Sequence, residues 1–210
     1  MSKNAYQPAH DGAVQAALKK RALKKRRNPD PRAARTRTRL GMAFIRLIHE
    51  KPIEDVTVKD VLDRASIGRS TFYLHFRDKN DLLLSQLEMF CEIQSSVLVE
   101  SKEKSLRVMP VAEMFEHIAK QVGFYRILVD AGRINDFFDL AQVAFARGIR
   151  QRLIDFGRLN AISRNELAAR ANALAGSLLS LLRWWLDRGT KESPAAMDQL
   201  FHKMVWTGLQ

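Results

Sequence analysis

Apolar residues in this chain recur three and four positions apart, the spacing of one helix face, and the pattern divides into successive predicted helices. Leu40, Phe44, Leu47 and Ile48 form the stripe of a helix from Arg32 to Glu50 that stops before Pro52. Thr57 with Asp60 makes a capping-box-like start for Val58, Val61, Leu62 and Ala65, a helix of about two turns. Ser66, Ile67 and Gly68 interrupt it, and Gly68 is a suitable N-cap for a second short helix whose Phe72 and Phe76 share one side. Asp78 then caps a long helix that starts at Lys79 and runs through Leu83, Leu87, Phe90, Ile93 and Val97 to about Glu100.

Beyond the polar stretch from Ser101 to Ser105, Pro110 is placed to be the first residue of a helix carrying Met114, Phe115 and Ile118. Phe124 to Val129 is a further apolar segment, and a helix over about Asn135 to Phe156 aligns Phe138, Ala141, Phe145, Ile149 and Phe156. Ser163 and Glu166 read as a capping box opening a long helix, in which Leu167, Ala171, Leu174, Leu178, Leu181 and Trp185 repeat at four-three spacing. Ala175, Leu179, Leu182 and Leu186 widen that stripe to a second face. Ser193-Pro194 opens the last helix, with Met197, Leu200, Phe201, Met204 and Val205 apolar. Two adjacent helices with such broad apolar faces suit a two-fold four-helix interface built on Leu174, Leu178, Leu181, Trp185, Phe201 and Val205; closing the core of a monomer is the alternative.

Charge changes this picture at one end. The formal charge is +12, of which residues 1–40 hold an excess of ten Lys and Arg over Asp and Glu. Residues 1–31 lack bulky core residues at helical spacing and end in Asn28-Pro29-Asp30-Pro31, so they read as a basic arm that follows phosphates beside the main contact, or as a solvated tail. No apolar run reaches the roughly 18 to 20 residues of a membrane span, and the first residues have no apolar leader core, so a cytoplasmic protein is expected. Cys91 is the single cysteine, which excludes an internal disulfide framework.

Two short helices joined by a three-residue turn form the helix-turn-helix pattern, whose second helix enters the major groove of DNA. At 100° per residue Ser70 and Leu74 point away from Phe72 and Phe76, with Thr71 and Tyr73 on the flanks. With that helix in the groove, Ser70, Thr71 and Leu74 would be the residues oriented toward base edges, and Arg69 would be able to reach a guanine or a phosphate. Leucine suits a thymine methyl, although Leu74 could equally pack on Ser70 or on a partner helix. Thr57 could offer hydroxyl and amide donors to a phosphate, and Arg35 lies with Arg32 and Arg39 on one basic helix face that suits backbone contact or simple solvation.

Thr57-Val58, Ala65, Thr71-Phe72-Tyr73 and the Phe76 to Lys79 run resemble the N-terminal segment of the tetracycline-repressor (TetR) family, over roughly residues 33 to 90. Leu182-Arg183-Trp184-Trp185-Leu186 looks like a C-terminal helix found in part of that family. The resemblance implies that Tyr73, His75 and Lys79 grip the DNA backbone. It implies too that the helix from Lys79 links a DNA-reading head to a ligand-binding body, and that the last two helices dimerise. A ligand pocket is likewise implied only by resemblance; Phe90, Met114, Phe115, Phe124, Tyr125, Phe138 and Phe145 are its candidates, each taken singly better explained by core packing. Two departures stand out: Ser66 and Gly68 occupy turn positions where the family more often has Gly and Ser, and Leu74 replaces a polar or aromatic residue.

The five histidines show no metal-ligand spacing, and neither a phosphate-cradling glycine loop nor a nucleophile elbow occurs, so no enzyme, metal or cofactor is expected. The expected molecule is all-α with about nine helices: arm 1–31, helix-turn-helix domain 32–79, regulatory and dimerisation domain 80–210. Its expected partners are double-stranded DNA, a second copy of itself and a small-molecule effector, with no membrane. The expected function is that of a ligand-released repressor on a palindromic operator. The alternative is a helical adaptor whose basic tail binds acidic membrane or RNA without sequence preference.

Overall fold

The computed structural model describes residues 30–100, 109–155 and 162–207; the basic arm before Asp30 and Phe156 lie outside them. Among the described residues there are nine α-helices and no strand. Helix α1 is Pro31–Glu50, α2 Val58–Ala65 and α3 Arg69–His75. They are followed by α4 (Lys79–Glu100), α5 (Val111–Ala119), α6 (Val122–Asp130), α7 (Ile134–Asp155), α8 (Arg164–Asp187) and α9 (Pro194–Thr207).

The boundaries follow capping chemistry, with three differences from the sequence pattern. Helix α1 begins at Pro31 rather than Arg32, because the Asp30 carboxylate accepts from the Arg32 amide at 2.9 Å and proline fits the first turn. Pro110 is the N-cap of α5 and not its first residue; its ψ of 70° is not helical. At α8 only half of the expected capping box forms, because Ser163 accepts from the Glu166 amide while the Glu166 carboxylate pairs with Arg170 at 2.6 Å.

Helices α1 to α3 close around Leu40, Phe44, Leu47, Val61, Phe72 and Phe76, all buried. In the remainder, α7 packs between α4 and α8, and α9 covers α5. Ser95 donates to the Ala144 carbonyl at 2.9 Å, tying α4 to α7, and Gln142 donates to the Asn172 carbonyl at 3.1 Å, tying α7 to α8. Phe115 lies against Trp185, ring centroids 4.8 Å apart, and the Trp185 indole donates to the Glu192 carbonyl at 2.8 Å. The buried stripe of α4 is Leu83, Leu87, Cys91 and Gln94, whereas the expected Ile93 is half exposed. Sequence spacing alone had placed the stripe one position away, because Cys91 and Gln94 are not diagnostic of a core.

Gly41 sits where α1 crosses α4. A Cβ there would lie 2.6 Å from the Gln86 side-chain carbon Cδ, so any larger residue would require the buried Gln86 amide to shift. Beside it the Arg37 guanidinium donates to Ser85 Oγ at 2.9 Å and lies over the Phe76 ring. Arg133, just before α7, donates to Asn80 in the first turn of α4.

Candidate nucleic-acid interface

The geometry of the helix-turn-helix starts from two local devices. Thr57 accepts from the Asp60 amide, and its own amide donates to the Asp60 carboxylate at 2.8 Å, completing the capping box of α2. That occupies the Thr57 amide, which the sequence had offered to a phosphate; its exposed hydroxyl is the group left to donate. At the other end Ser66 takes the left-handed conformation, φ 49°, and the Arg39 guanidinium caps the α2 terminus by donating to the Ala65 carbonyl at 2.6 Å. Gly68 has an ordinary φ of −70°, so the left-handed position of this turn carries serine.

With Phe72 and Phe76 sealed in the core, α3 turns its opposite face outward. Arg69, Ser70, Tyr73 and Leu74 are exposed there, and Thr71 and His75 are half-buried at its edges. The Arg69 guanidinium lies over the Tyr73 ring, 5.9 Å from its centroid, which holds both side chains on one flank. Arg35 is exposed on α1. Lys79 is placed otherwise than a free phosphate ligand would be: its ammonium donates to the carbonyls of Ile53 and Glu54, at 2.7 and 2.9 Å, and pins the α1–α2 connection to α4. Arg37 and Arg39 were not singled out as fasteners, because nothing in a run of alternating arginines tells which will turn inward.

Ion pairs fix the same region. The Lys51 ammonium lies 2.7 Å from Asp60 and, with the Thr57 amide, holds that carboxyl below the usual carboxylate range. Arg64 forms a two-pronged pair with Glu50 at 2.7 and 2.6 Å, which lowers the Glu50 pKa and raises that of Arg64.

The expected dimer residues divide between the core and the wall of a groove. Leu178, Trp185 and Phe201 are covered within the single chain, Leu181 and Val205 nearly so, and Leu174 is half-buried. The stripe belongs to the chain's own core because α7 and α5 already pack on it. Between α8 and α9 lies a groove of about 560 Å³, rimmed by Ser177, Ser180, Trp184, Leu200 and Met204, with the expected Leu181, Phe201 and Val205 along its wall. Trp184, Leu200 and Met204 are 44%, 39% and 44% exposed.

The expected pocket residues all lie in the core or packed against it. Phe90 contacts the rings of Phe124 and Phe137, and Phe137 contacts Phe138, which lies under the Arg183 guanidinium. Phe115 stands apart against Trp185; Met114 and Phe145 are fully buried, and Tyr125 donates from its hydroxyl to Asp187 at 2.7 Å. Burial and the Asp187 carboxylate push the Tyr125 pKa up, and burial does the same to the Cys91 thiol. Among the described residues no cluster of His, Cys, Asp and Glu could hold a metal ion, and no helix is long and apolar enough to cross a membrane.

An all-helical chain with a two-helix reading motif and an outward polar helix face is a helix-turn-helix protein. Residues 43–85 match the model of the bacterial regulatory proteins of the tetR family. An uncharacterized HTH-type transcriptional regulator of Bacillus subtilis, YxbF, is 34% identical over 68 residues, which are 32% of this chain and 18% of that protein. The match therefore spans less than a fifth of that relative. Among solved structures, AlkX, a TetR-family repressor from Dietzia implicated in n-alkane biodegradation, superposes with a TM-score of 0.57 at 14% identity, covering 80% of this chain and 92% of that one. The dihydroxyacetone kinase operon activator DhaS gives 0.54 at 17% identity, covering 83% and 94%. A tetR-family regulator from Streptomyces coelicolor gives 0.54 at 15%, covering 81% and 78%. Residues 43–85 thus match the tetR-family model, and the described helices share the all-helical fold of solved TetR-family proteins.

Proposed function

We propose that this chain is a cytoplasmic transcription regulator that binds a palindromic DNA operator as a homodimer and is released from it by a small molecule. The observation that carries the reading is the outward face of α3. Its Arg69, Ser70, Tyr73 and Leu74 stand clear of the core on a helix narrow enough for the major groove. Thr71 joins Ser70 and Leu74 toward the base edges, Thr57, Tyr73, His75 and Arg35 contact the flanking backbone, and Lys79 acts chiefly by holding the motif together. Residues 32–79 form the reading domain, residues 80–210 the regulatory domain, and the basic arm before Asp30 adds phosphate contacts and salt dependence.

Two copies pair through the α8–α9 groove, each inserting Trp184, Leu200 and Met204 around the small Ser177 and Ser180, so that two α3 helices meet the two half-sites. An effector held among the aromatic residues of α4 to α8 moves α4, and the Gly41–Gln86 crossing passes that movement to α1. Occupying a promoter makes the protein a repressor.

The test is selection of duplexes from a random pool at about 0.2 M salt, where purely electrostatic binding is weakened. An inverted repeat with fixed half-site spacing is the expected product. Folded protein that retains polyanions without enriching any sequence would sink the reading and leave the adaptor in its place.

A further inference from the structure

We propose that Leu74 selects thymine at one position of each half-site by covering the C5-methyl group of the base, an inference that rests on α3 being the major-groove helix. Leu74 is 75% exposed, the most exposed of the large apolar side chains among the described residues. Packing among the described residues does not account for it: Ser70 is itself exposed and too short to cover a leucine, and Phe72 and Phe76 fill the core side of α3. Tyr73 and Arg69 are engaged with each other on the neighbouring flank.

The neighbours of Leu74 decide what it fits. Arg69, Ser70 and Arg77 are exposed near it in sequence, and the one other large apolar side chain exposed on α3 is Tyr73, under the Arg69 guanidinium, so this face is far short of the contiguous patch of a few hundred Å² that marks a protein-docking surface. The other large exposed apolar groups in the C-terminal helices, Trp184, Leu200 and Met204, do gather in one groove. A single leucine can bury one methyl-sized group. In the major groove the four bases present hydrogen-bonding atoms that leucine cannot satisfy, and the one apolar feature is the thymine methyl. Adenine, guanine and cytosine at that position would leave a polar edge dehydrated against the side chain.

The experiment uses the full chain. The duplex recovered by selection is remade with each thymine replaced singly by deoxyuridine, which removes the methyl and leaves every hydrogen-bonding atom. Dissociation constants are then measured for the wild type and for Leu74→Ala. One thymine per half-site is expected to lose affinity roughly fourfold in the wild type, the effect of one methyl-sized group, and to lose nothing in Leu74→Ala, while other positions respond alike in both proteins. Because Leu74 is exposed, the variant should melt at the wild-type temperature, which circular dichroism checks. An enriched duplex with no thymine whose uracil penalty disappears in Leu74→Ala overturns the assignment and leaves the DNA-reading function standing. Failure of the wild type to enrich any duplex overturns that function, and the assignment with it.

Discussion

The first three helices and the six that follow are held together by different means. Helix α1 runs 20 residues and α2 and α3 only 8 and 7, and this region is tied by directional contacts: Asp30 caps α1, Thr57 and Asp60 cap α2, Arg39 closes the α2 terminus, and Lys79 ties the intervening turn to α4. Helices α4, α7 and α8 run 22 to 24 residues and, although Asp78 and Ser163 cap α4 and α8, rely chiefly on broad apolar faces. They even leave a polar group stranded: Gln94 is wholly buried, and neither amide atom has a partner among the described residues. A part that must present one rigid face to a partner gains from directional, satisfied fastenings. A part held by area tolerates local misfits, and therefore has room to change its packing.

The largest effect expected from breaking this contrast is in the packed region. Trp185→Ala removes the indole between Phe115 and the Glu192 carbonyl, and should lower stability by about 3 to 5 kcal/mol in urea titration. A loss under 1 kcal/mol would mean that the long helices are not area-held. Next comes the crossing between the two regions. Gly41→Ala should destabilise by roughly 1 to 3 kcal/mol through overlap with Gln86, and Gln86→Ala should restore most of that loss in the double variant. Additive losses would place the strain elsewhere.

Gln94→Leu sharpens the comparison from the other side. Replacing a stranded amide with an apolar group of similar size should raise the melting temperature, by a gain of roughly 1 kcal/mol; a fall would show that the amide is satisfied in solution. The smallest change is in the end-fastened region: Thr57→Ala should cost about 1 kcal/mol as one cap is lost. The same cap makes the region acid-sensitive. Because the folded state depresses the Asp60 pKa, its contribution is complete above the unfolded carboxylate value of about 3.9 and fades as pH falls below it. Asp60→Asn should flatten that part of the stability profile, and an unchanged acid limb would remove Asp60 as its cause.

The N-terminal helices were legible in the sequence because their signals are local. Thr57 lies three residues from Asp60, and Phe72 lies four from Phe76, so caps and core face are written in adjacent letters. The outward face of α3 follows from the same spacing. The long helices α4, α7 and α8 were recognisable as helices, but their stripes were wide enough that periodicity could not say which flank is covered.

Spacing determined that the chain is helical, where each helix lies to within a residue or two, and which face of α3 points outward, since those properties depend on neighbours in sequence. The tertiary structure alone decided that Trp185 is core while adjacent Trp184 is surface, that Gln94 is buried and Ile93 exposed, and that Arg37, Arg39 and Lys79 fasten backbone and side chains. Each of those outcomes depends on which helix arrives from a distant part of the chain, and a pattern of three and four carries no record of the partner.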